Sequence, residues 1–200
     1  MIRAFITRRS SIACASETSK NGDRQVFCPR PAEESPLATY MMDGTSVTFR
    51  PVSARDEDFL FEVYASTRAE ELASLPLDAS QRERFLKLQF AAQQQDYKRR
   101  FPTGDHRVIL LEDHPIGRLY VARGDQEIRI LDVALLPEHR NRGIGTRIIT
   151  DLLDEAEQAR RPLRVHVERF NPSNRLFERL GFSVVEDIGT HFLMESPVGK

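Results

Sequence analysis

Cysteine is scarce in this chain, and its scarcity excludes two kinds of site. Cys14 and Cys28 are the only cysteines, and both precede the first patterned segment. No further cysteine is available to build a disulfide framework or a thiolate zinc site. The five histidines are scattered without metal-ligand spacing, so no metal is expected. A reducing, cytoplasmic compartment is the simplest prediction.

Long apolar runs and an excess of one charge are also missing. The chain contains no run of about 18 apolar residues, which a transmembrane helix would need. Its formal net charge of -1 gives no general reason to expect nucleic acid or an acidic membrane surface as a partner. A length of 200 residues suits one ordinary domain with a tail. We therefore expect one domain with no membrane span and no nucleic-acid partner.

The first 44 residues lack the patterning of a folded domain. Ser, Thr, Arg, Glu and Pro dominate after Ile6, and neither helical nor strand periodicity persists. The early arginines give this segment a faint similarity to an organelle transit peptide. The interpretation we favour is a disordered extension, translated from an upstream start, with Met41 or Met42 as the functional beginning. We accordingly predict an extension over residues 1–44 and a domain over residues 45–197.

The rest of the sequence alternates between strand and helix patterns. Val47–Val52 predicts a first strand, and two helices follow it. Ser53 with Asp56, and Ser80 with Glu83, have the spacing of a capping box and predict where these helices begin.

The second of these helices is expected to carry its apolar residues on one side, with Phe85, Leu88 and Ala92 on one face and Leu86, Phe90 and Tyr97 near it. A meander of three strands follows and ends in the apolar run Gln126–Leu136. A long helix, a strand, a short helix and the last strands complete the chain. This order predicts an α/β fold with a mixed sheet flanked by helices.

A basic turn with two glycines joins the apolar run to the long helix. Gly143 and Gly145 have no Cβ, so the backbone can approach a ligand closely. The first amides of the helix lack intrahelical acceptors and carry the positive end of the helix dipole. Arg140, Arg142 and Arg147 add positive charge. The turn predicts a polyphosphate ligand, and the alternative is a solvated basic turn with a glycine bend.

Two motifs resemble one family. Arg-x-x-Gly-x-Gly at residues 140–145, after Ala-Leu-Leu-Pro-Glu-His, is similar to the acetyl-CoA signature of the GNAT acetyltransferase superfamily. The segment Asn171–Phe182 resembles the superfamily's Asn-Pro-x-x-x-Leu-Tyr-Glu-x-x-Gly-Phe element. Both motifs occur in the family's order, and the resemblance covers roughly residues 47–195. It implies a GNAT-type mixed β-sheet flanked by helices.

The resemblance also implies a reaction and a cofactor site. The reaction is transfer of an acetyl group from acetyl-CoA to a primary amine by direct attack, without an acyl-enzyme. Loop amides would hold the diphosphate, a strand would pair with the pantetheine arm, and Asn171 would contact the cofactor from the other side. The cofactor-binding residues implied in this way are Val133, Ala134, Leu135, Arg140, Asn141, Arg142, Gly143, Ile144, Gly145, Thr146 and Asn171.

A general base is useful because an amine is largely protonated at neutral pH. His166 lies five residues before Asn171, where the ribosomal-protein N-terminal acetylating members carry a glutamate. Glu127 lies thirteen residues before Arg140, where several members place an acid or a histidine. Both are candidate catalytic residues. The alternatives are a histidine packed beside the sheet and a solvated carboxylate at a strand end.

The chain departs from the family pattern at Phe177, where many relatives carry a tyrosine that protonates the departing thiolate. A thiolate with a pKa of about 8.5 is a tolerable leaving group without that donor. Water, Tyr64, Tyr97 or Tyr120 are the alternative donors. Strand alternation places Asp132 on the face opposite Glu127, which predicts a hydrogen-bonded structural acid.

The acceptor is left open by the sequence. A small amine, an aminoglycoside-like molecule, a free amino acid or a peptide N-terminus would each suit an N-acetyltransferase. By resemblance, the segment 72–101 would choose among them, and a homodimer is one oligomeric state to test. A catalytically weak acyl-CoA-binding sensor or scaffold module is the alternative function, and a binding module for another nucleotide is a third.

Overall fold

The structure of the protein is a computed structural model that describes residues 39–42, 44–73 and 75–197. Its strands are β1 (Tyr40–Met42), β2 (Thr45–Pro51), β3 (Asp105–Leu111), β4 (His114–Arg123), β5 (Ile128–Leu135), β6 (Leu163–Glu168), β7 (Ser183–Asp187) and β8 (His191–Glu195). Its α-helices are α1 (Glu57–Ala73), α2 (Ala79–Arg100), α3 (Ile144–Gln158) and α4 (Asn174–Arg179). The predicted α/β class, with a mixed sheet and flanking helices, is confirmed.

The strands form one sheet in the order β1-β2-β3-β4-β5-β6-β8-β7. Neighbours are antiparallel except β5 and β6, which are parallel and joined through α3. Their pairing covers only Ile128–Ile130 against Leu163–Val165. Beyond these residues the two strands no longer pair, so a V-shaped gap opens in the middle of the sheet toward their carboxyl ends.

Helices cover the two faces of the sheet separately. The larger core packs α3 against one face, with Ile148 and Leu152 fully buried among strand residues such as Val133 and Val165. The opposite face is covered by α1 and α2, where Tyr97 packs on the sheet. Each fully buried aliphatic side chain contributes about 1.5–3 kcal/mol relative to an exposed one. The V-shaped gap is thus held between two packed layers.

A β-bulge in β5 changes which side chains share a face. Tyr120 pairs with Asp132 and Val121 with Ile130, so Leu131 is an extra residue in β5. Leu131 packs with Tyr97, and Asp132 is paired with Arg118 on the same α1/α2 side. The alternation predicted for Asp132 is therefore wrong, because the bulge breaks it. Its prediction as a buried, hydrogen-bonded acid agrees with the structure.

The sheet begins before the expected domain boundary at residue 45. Strand β1 pairs with β2, and Tyr40 is buried against Phe49 with a ring-centroid distance of 6.3 Å. These residues lie inside the segment 1–44 that the sequence predicts to be an extension. The remaining expectation of disorder falls on residues 1–38, which lie outside the described residues.

The two helices after β2 begin differently. Asp56 accepts hydrogen bonds from the Ser53 backbone N–H at 2.7 Å and from its Oγ at 2.8 Å, as predicted. Helix α2 is capped by Asp78, whose Oδ1 accepts from the Gln81 N–H at 2.8 Å while Gln81 Oε1 accepts from the Asp78 N–H at 2.9 Å. The Ser80 cap is therefore wrong by two residues.

The buried face of α2 also differs from the prediction. Phe90, Gln93 and Tyr97 are its buried residues, whereas Leu88 is 73% exposed and Phe85 is 39% exposed. Helix α2 packs on α1 through Phe90 and on the sheet through Tyr97. The predicted central face of Phe85 and Leu88 is wrong, whereas Phe90 and Tyr97, expected near it, are buried. The apolar residues of α2 lie all around the helix, and only tertiary packing selects the stripe that is covered.

Candidate active site

The V-shaped gap between β5 and β6 opens into a cleft of about 430 Å³. One wall is the end of β5, with Val133, Ala134 and Leu135. Val133 belongs to the core on the α3 side and Ala134 to the cluster on the α1 side, so the cleft reaches both faces of the sheet. Thr67 of α1 also lines it. A ligand in this cleft would lie beside the exposed edge of β5.

The glycine-containing loop forms a second wall. Asn141 and Gly143 have φ of 60° and 81°, and this left-handed conformation is one that glycine adopts without strain. Gly143 is the N-cap of α3 and supplies no side-chain cap. The N–H groups of the first helical turn, from Ile144 to Thr146, have no acceptor within the helix. This turn presents backbone donors and the positive end of the dipole of a 15-residue helix.

Eight of the eleven predicted cofactor-binding residues line the cleft: Val133, Ala134, Leu135, Arg140, Asn141, Gly143, Gly145 and Thr146. The other three lie beside it. Arg142 is exposed, Ile144 is buried in the core, and Asn171 is buried in the turn before α4. Ile144 therefore anchors the loop through its side chain and offers a ligand only its backbone.

The Arg140 side chain braces the site internally. Its Nε donates to the Leu135 carbonyl at 2.8 Å, and its Nη2 donates to Ser66 Oγ on α1 at 2.9 Å. This guanidinium therefore ties the end of β5 to α1. The role predicted for the loop amides does not need the Arg140 charge.

Helix α4 supplies a third wall, which the sequence analysis missed. Arg175 and Arg179 line the cleft from this helix and are exposed, and neither forms an ion pair within the described part of the chain. Their spacing of four residues places them on one helical face. That spacing was visible in the sequence, but only the position of α4 relative to β5 shows that this face borders the cleft. Ser173 lines the same wall.

His166 lies on β6, across the gap from the end of β5, and is not one of the residues that line the cleft. Val165 and Val167 belong to the core on the α3 side, so His166 between them faces the α1/α2 side. It is the first residue of β6 beyond the paired segment. Burial, followed by the positive charge of Arg129, lowers the pKa of His166 from 6.5 to about 4. The imidazole is therefore neutral at pH 7.

Glu127 lies at the opposite end of β5 from the loop. Eight residues separate it from Leu135, which is about 26 Å along an extended strand. Its carboxylate pairs with Arg129 at 2.5 Å and with Arg164 at 2.8 Å. Glu127 therefore joins the two strands where the V is closed and does not line the cleft.

A second histidine near His166 has no counterpart in the sequence analysis. His191 of β8 pairs in register with Glu168 of β6, so the two side chains share the face that carries His166. His191 is buried, its Nδ1 lies 2.9 Å from Thr190 Oγ1, and burial lowers its pKa. Strand pairing between residues more than twenty apart brings these groups together, and no local sequence signal marks it.

The candidate phenols are already engaged in the described structure. Tyr64 donates to Gln89 Oε1 at 3.1 Å, Tyr97 to the Leu131 carbonyl at 3.0 Å and Tyr120 to the Phe101 carbonyl at 3.2 Å. Burial raises the pKa of all three hydroxyls. Phe177 is fully buried. None of these three phenols is an obvious donor to a leaving group.

Asp132 and Arg118 form a buried pair next to the bulge. Arg118 Nη2 donates to Asp132 Oδ2, and the guanidinium lies 5.7 Å from the centre of the Tyr64 ring. Burial raises the pKa of Asp132, and the charge of Arg118 opposes that rise. This pair joins β4 and β5 below α1, so it supports the site from beneath.

No helix in residues 39–42, 44–73 and 75–197 is long and apolar enough to span a bilayer. The same residues contain no group of three or more His, Cys, Asp or Glu side chains that could hold a metal ion.

Comparisons with known proteins agree on one family. The profile of the Acetyltransferase (GNAT) family matches residues 67–182, which is more than half of the chain. Comparison with curated protein sequences gave no match. The family inferred from the two motifs is thus confirmed by an independent sequence comparison.

Solved structures share the fold at low sequence identity. The PaiA N-acetyltransferase of Thermoplasma acidophilum in complex with coenzyme A is 18% identical, with a TM-score of 0.58, over 76% of this chain and 98% of that protein. An acetyltransferase of Thermus thermophilus is 21% identical, with a TM-score of 0.54, over 76% and 97% of the two chains. One from Streptococcus agalactiae is 12% identical, with a TM-score of 0.57, over 78% and 100%. The chain therefore belongs to the GNAT acetyltransferase family, whose co-substrate is acetyl-CoA.

Proposed function

We propose that the protein is an N-acetyltransferase that moves the acetyl group of acetyl-CoA directly onto a primary amine. The observation that carries this proposal is the cleft at the V between β5 and β6, which borders an uncapped helix N-terminus on one side. The amine would approach from the α1/α2 face, where His166 lies.

The chain's own groups fit coenzyme A. The amides at the start of α3 would bind the diphosphate, as they suit any phosphate at a helix N-terminus. The backbone of Val133, Ala134 and Leu135 would pair with the pantetheine arm as an added strand would. We add Arg175 and Arg179 to the predicted set, since both line the cleft as exposed cations.

His166 is the base that we propose. An amine becomes strongly acidic once it has attacked the thioester carbonyl, so even a base of low pKa can accept its proton at that stage. The positive charges of Arg129, Arg100 and Arg164 act on His166. They would also favour the neutral, attacking form of an amine bound beside it. Glu127 is held in two ion pairs away from the cleft, so we propose a structural role for it.

Holding the two reactants in line supplies much of the rate, because the attack becomes effectively unimolecular. Acetyl-CoA supplies the activated acyl group. The residues of this chain orient that group, exclude water and accept the proton of the amine.

The experiment is an assay of thiol release from acetyl-CoA with a panel of primary amines. We expect at least one class of amine to give turnover with wild-type protein. If His166→Gln reduces the rate of thiol release and leaves acetyl-CoA affinity unchanged, the result supports His166 as the base. Glu127→Gln is the matched comparison, and equal losses in both variants would contradict the choice between them.

A second candidate function is an acyl-CoA-binding sensor or scaffold. The engaged hydroxyls of Tyr64, Tyr97 and Tyr120 favour it, since none of them is free to protonate a thiolate. It predicts acetyl-CoA binding without thiol release for every amine in the panel. A module for another nucleotide would instead be stabilised against heat more by ATP than by acetyl-CoA.

A further inference from the structure

Three hydroxyl groups line the cleft, and they differ in what they contact. Thr67 Oγ1 donates to the Tyr64 carbonyl at 2.7 Å. Thr146 is exposed on the loop at the start of α3. Ser173 is 2% exposed, and its Oγ is buried without a hydrogen-bond partner in the described structure. Ser173 is therefore the cleft hydroxyl that is both enclosed and available.

The backbone of Ser173 is already held in place. Its N–H donates to Asn171 Oδ1 at 2.9 Å, and its carbonyl accepts from the N–H groups of Leu176 at 2.9 Å and Phe177 at 3.1 Å. Only the side-chain hydroxyl has no hydrogen-bond partner in the described structure, and it can rotate about the Cα–Cβ bond. A buried hydroxyl without a partner is unfavourable, so a ligand that offers an acceptor gains from meeting it.

Position within the cleft indicates which part of the ligand Ser173 would meet. Thr146, Arg175 and Arg179 are exposed and mark the open rim, which suits the charged nucleotide end of coenzyme A. Ser173 marks the enclosed part. In the proposed function the amine approaches from the α1/α2 face, so the thiol end of the molecule would enter the enclosed part of the cleft.

We propose that Ser173 Oγ donates a hydrogen bond to the sulfur of coenzyme A as the carbon–sulfur bond of the thioester breaks. This inference rests on the proposed function. A bond forms between the amine nitrogen and the acetyl carbon, the electron pair of the carbon–sulfur bond passes to sulfur, and the amine proton passes to His166. Ser173 keeps its own proton, and the thiolate takes one from solvent after it leaves.

The test measures the thiol of bound coenzyme A and needs no amine. The ultraviolet absorbance of the thiolate is followed against pH in full-length protein saturated with coenzyme A. Cys14 and Cys28 also titrate, so the same titration without coenzyme A is subtracted. A hydrogen bond to the charged form lowers the pKa of the group that accepts it. We expect Ser173→Ala to raise the pKa of the bound thiol by about one unit.

Ser80→Ala is the matched control, because Ser80 is exposed at the start of α2 and lies outside the cleft. It should leave the pKa of the bound thiol unchanged. Ser173→Thr keeps a hydroxyl and should restore the wild-type value. With an active amine, Ser173→Ala should lower kcat about tenfold with little change in acetyl-CoA affinity.

Two results would overturn the proposal. One is an unchanged thiol pKa in Ser173→Ala with coenzyme A bound. The other is a loss of affinity alone, which would place the Ser173 hydroxyl on the pantetheine amides. Failure of wild-type protein to bind coenzyme A would instead remove the proposed function, so the two failures are distinguishable.

Discussion

At the residue scale, the environment of His166 determines what kind of base it can be. An ordinary histidine titrates near 6.5, but burial and the neighbouring arginines hold the pKa of His166 at about 4. The imidazole is therefore neutral and able to accept a proton over the whole range from pH 5 to 8. In the proposed reaction, the same positive charges would disfavour a second cation beside His166 and so favour the neutral, reactive form of the amine.

This environment predicts the pH dependence of activity. The proposed mechanism needs the neutral form of His166. That form is lost only as pH falls through about 4, so kcat/KM should show no acid limb near pH 6.5 from this residue. Arg129→Gln removes the largest single charge effect on His166 and should therefore raise the pKa of His166. Any acid limb that His166 causes should then move to higher pH. A rate profile measured from pH 4 to 8 checks both. An acid limb near pH 6.5 in wild-type protein would show that a residue other than His166 is the base.

At the element scale, the loop before α3 depends on a backbone conformation that suits glycine. Gly143 has φ of 81°, which costs other residues roughly 1–2 kcal/mol. Gly143→Ala should therefore shift the loop and weaken acetyl-CoA binding about tenfold, since 1.4 kcal/mol is one factor of ten. Isothermal titration with acetyl-CoA measures the change.

Gly189 provides the control for backbone strain. It has φ of 83° in the turn between β7 and β8, with nothing within 4 Å of an added Cβ. Gly189→Ala should lower stability without changing acetyl-CoA affinity. If both alanine variants weakened acetyl-CoA binding equally, the loss of affinity would result from general backbone strain and not from a change in the loop before α3.

The start of α2 predicts a difference between two neighbouring positions. Asp78 caps the helix through the Gln81 N–H, whereas Ser80 lies inside the first turn. Asp78→Ala should lower the free energy of unfolding by about 1 kcal/mol, and Ser80→Ala should leave it nearly unchanged. Denaturant unfolding of both variants measures this. A larger loss of unfolding free energy in Ser80→Ala than in Asp78→Ala would instead show that Ser80 is the cap, as expected from the sequence.

Elements could be predicted from the sequence where their signals are local. The glycine loop before α3 and the Asn-Pro turn before α4 are runs of consecutive residues, so the helices that follow them and the family could be predicted from the sequence. The predicted start of α2 is wrong because Asp78 and Ser80 each have a possible capping partner three residues later, Gln81 and Glu83. The bulge at Leu131 has no such signal, because it depends on how β4 and β5 align.

Residues that approach the site from separate elements could not be predicted, for the same reason. His191 reaches the neighbourhood of His166 only through the pairing of β6 with β8. Arg175 and Arg179 become cleft residues only because α4 packs beside the open V. Side chains that meet through tertiary structure carry no fixed spacing along the chain.

At the scale of the whole molecule, buried histidines link stability to pH. His106 and His166 both have their pKa lowered from 6.5 to about 4, chiefly by burial. The unfolded chain therefore binds more protons than the folded one between these values. Stability contributed by the neutral rings is fully present above pH 6.5 and should be lost progressively as pH falls toward 4.

Thermal unfolding at a series of pH values checks this prediction. The free energy of unfolding should decrease on the order of 1 kcal/mol or more from pH 6.5 to 4.5 in wild-type protein. His106→Gln should flatten the profile without affecting the cleft, because His106 is stacked on Tyr120, 4.5 Å between ring centres, on the α2 side. An unchanged profile in that variant would show that His106 is not desolvated.

The Arg140 side chain connects two elements that border the cleft, the end of β5 and helix α1. It bonds the end of β5 on one side and Ser66 of α1 on the other, at 2.8 and 2.9 Å. In the proposed reaction, a displacement of the loop before α3 would be transmitted through Arg140 to α1. Acetyl-CoA and the amine should consequently bind cooperatively, each strengthening the binding of the other, and Ser66→Ala should uncouple them.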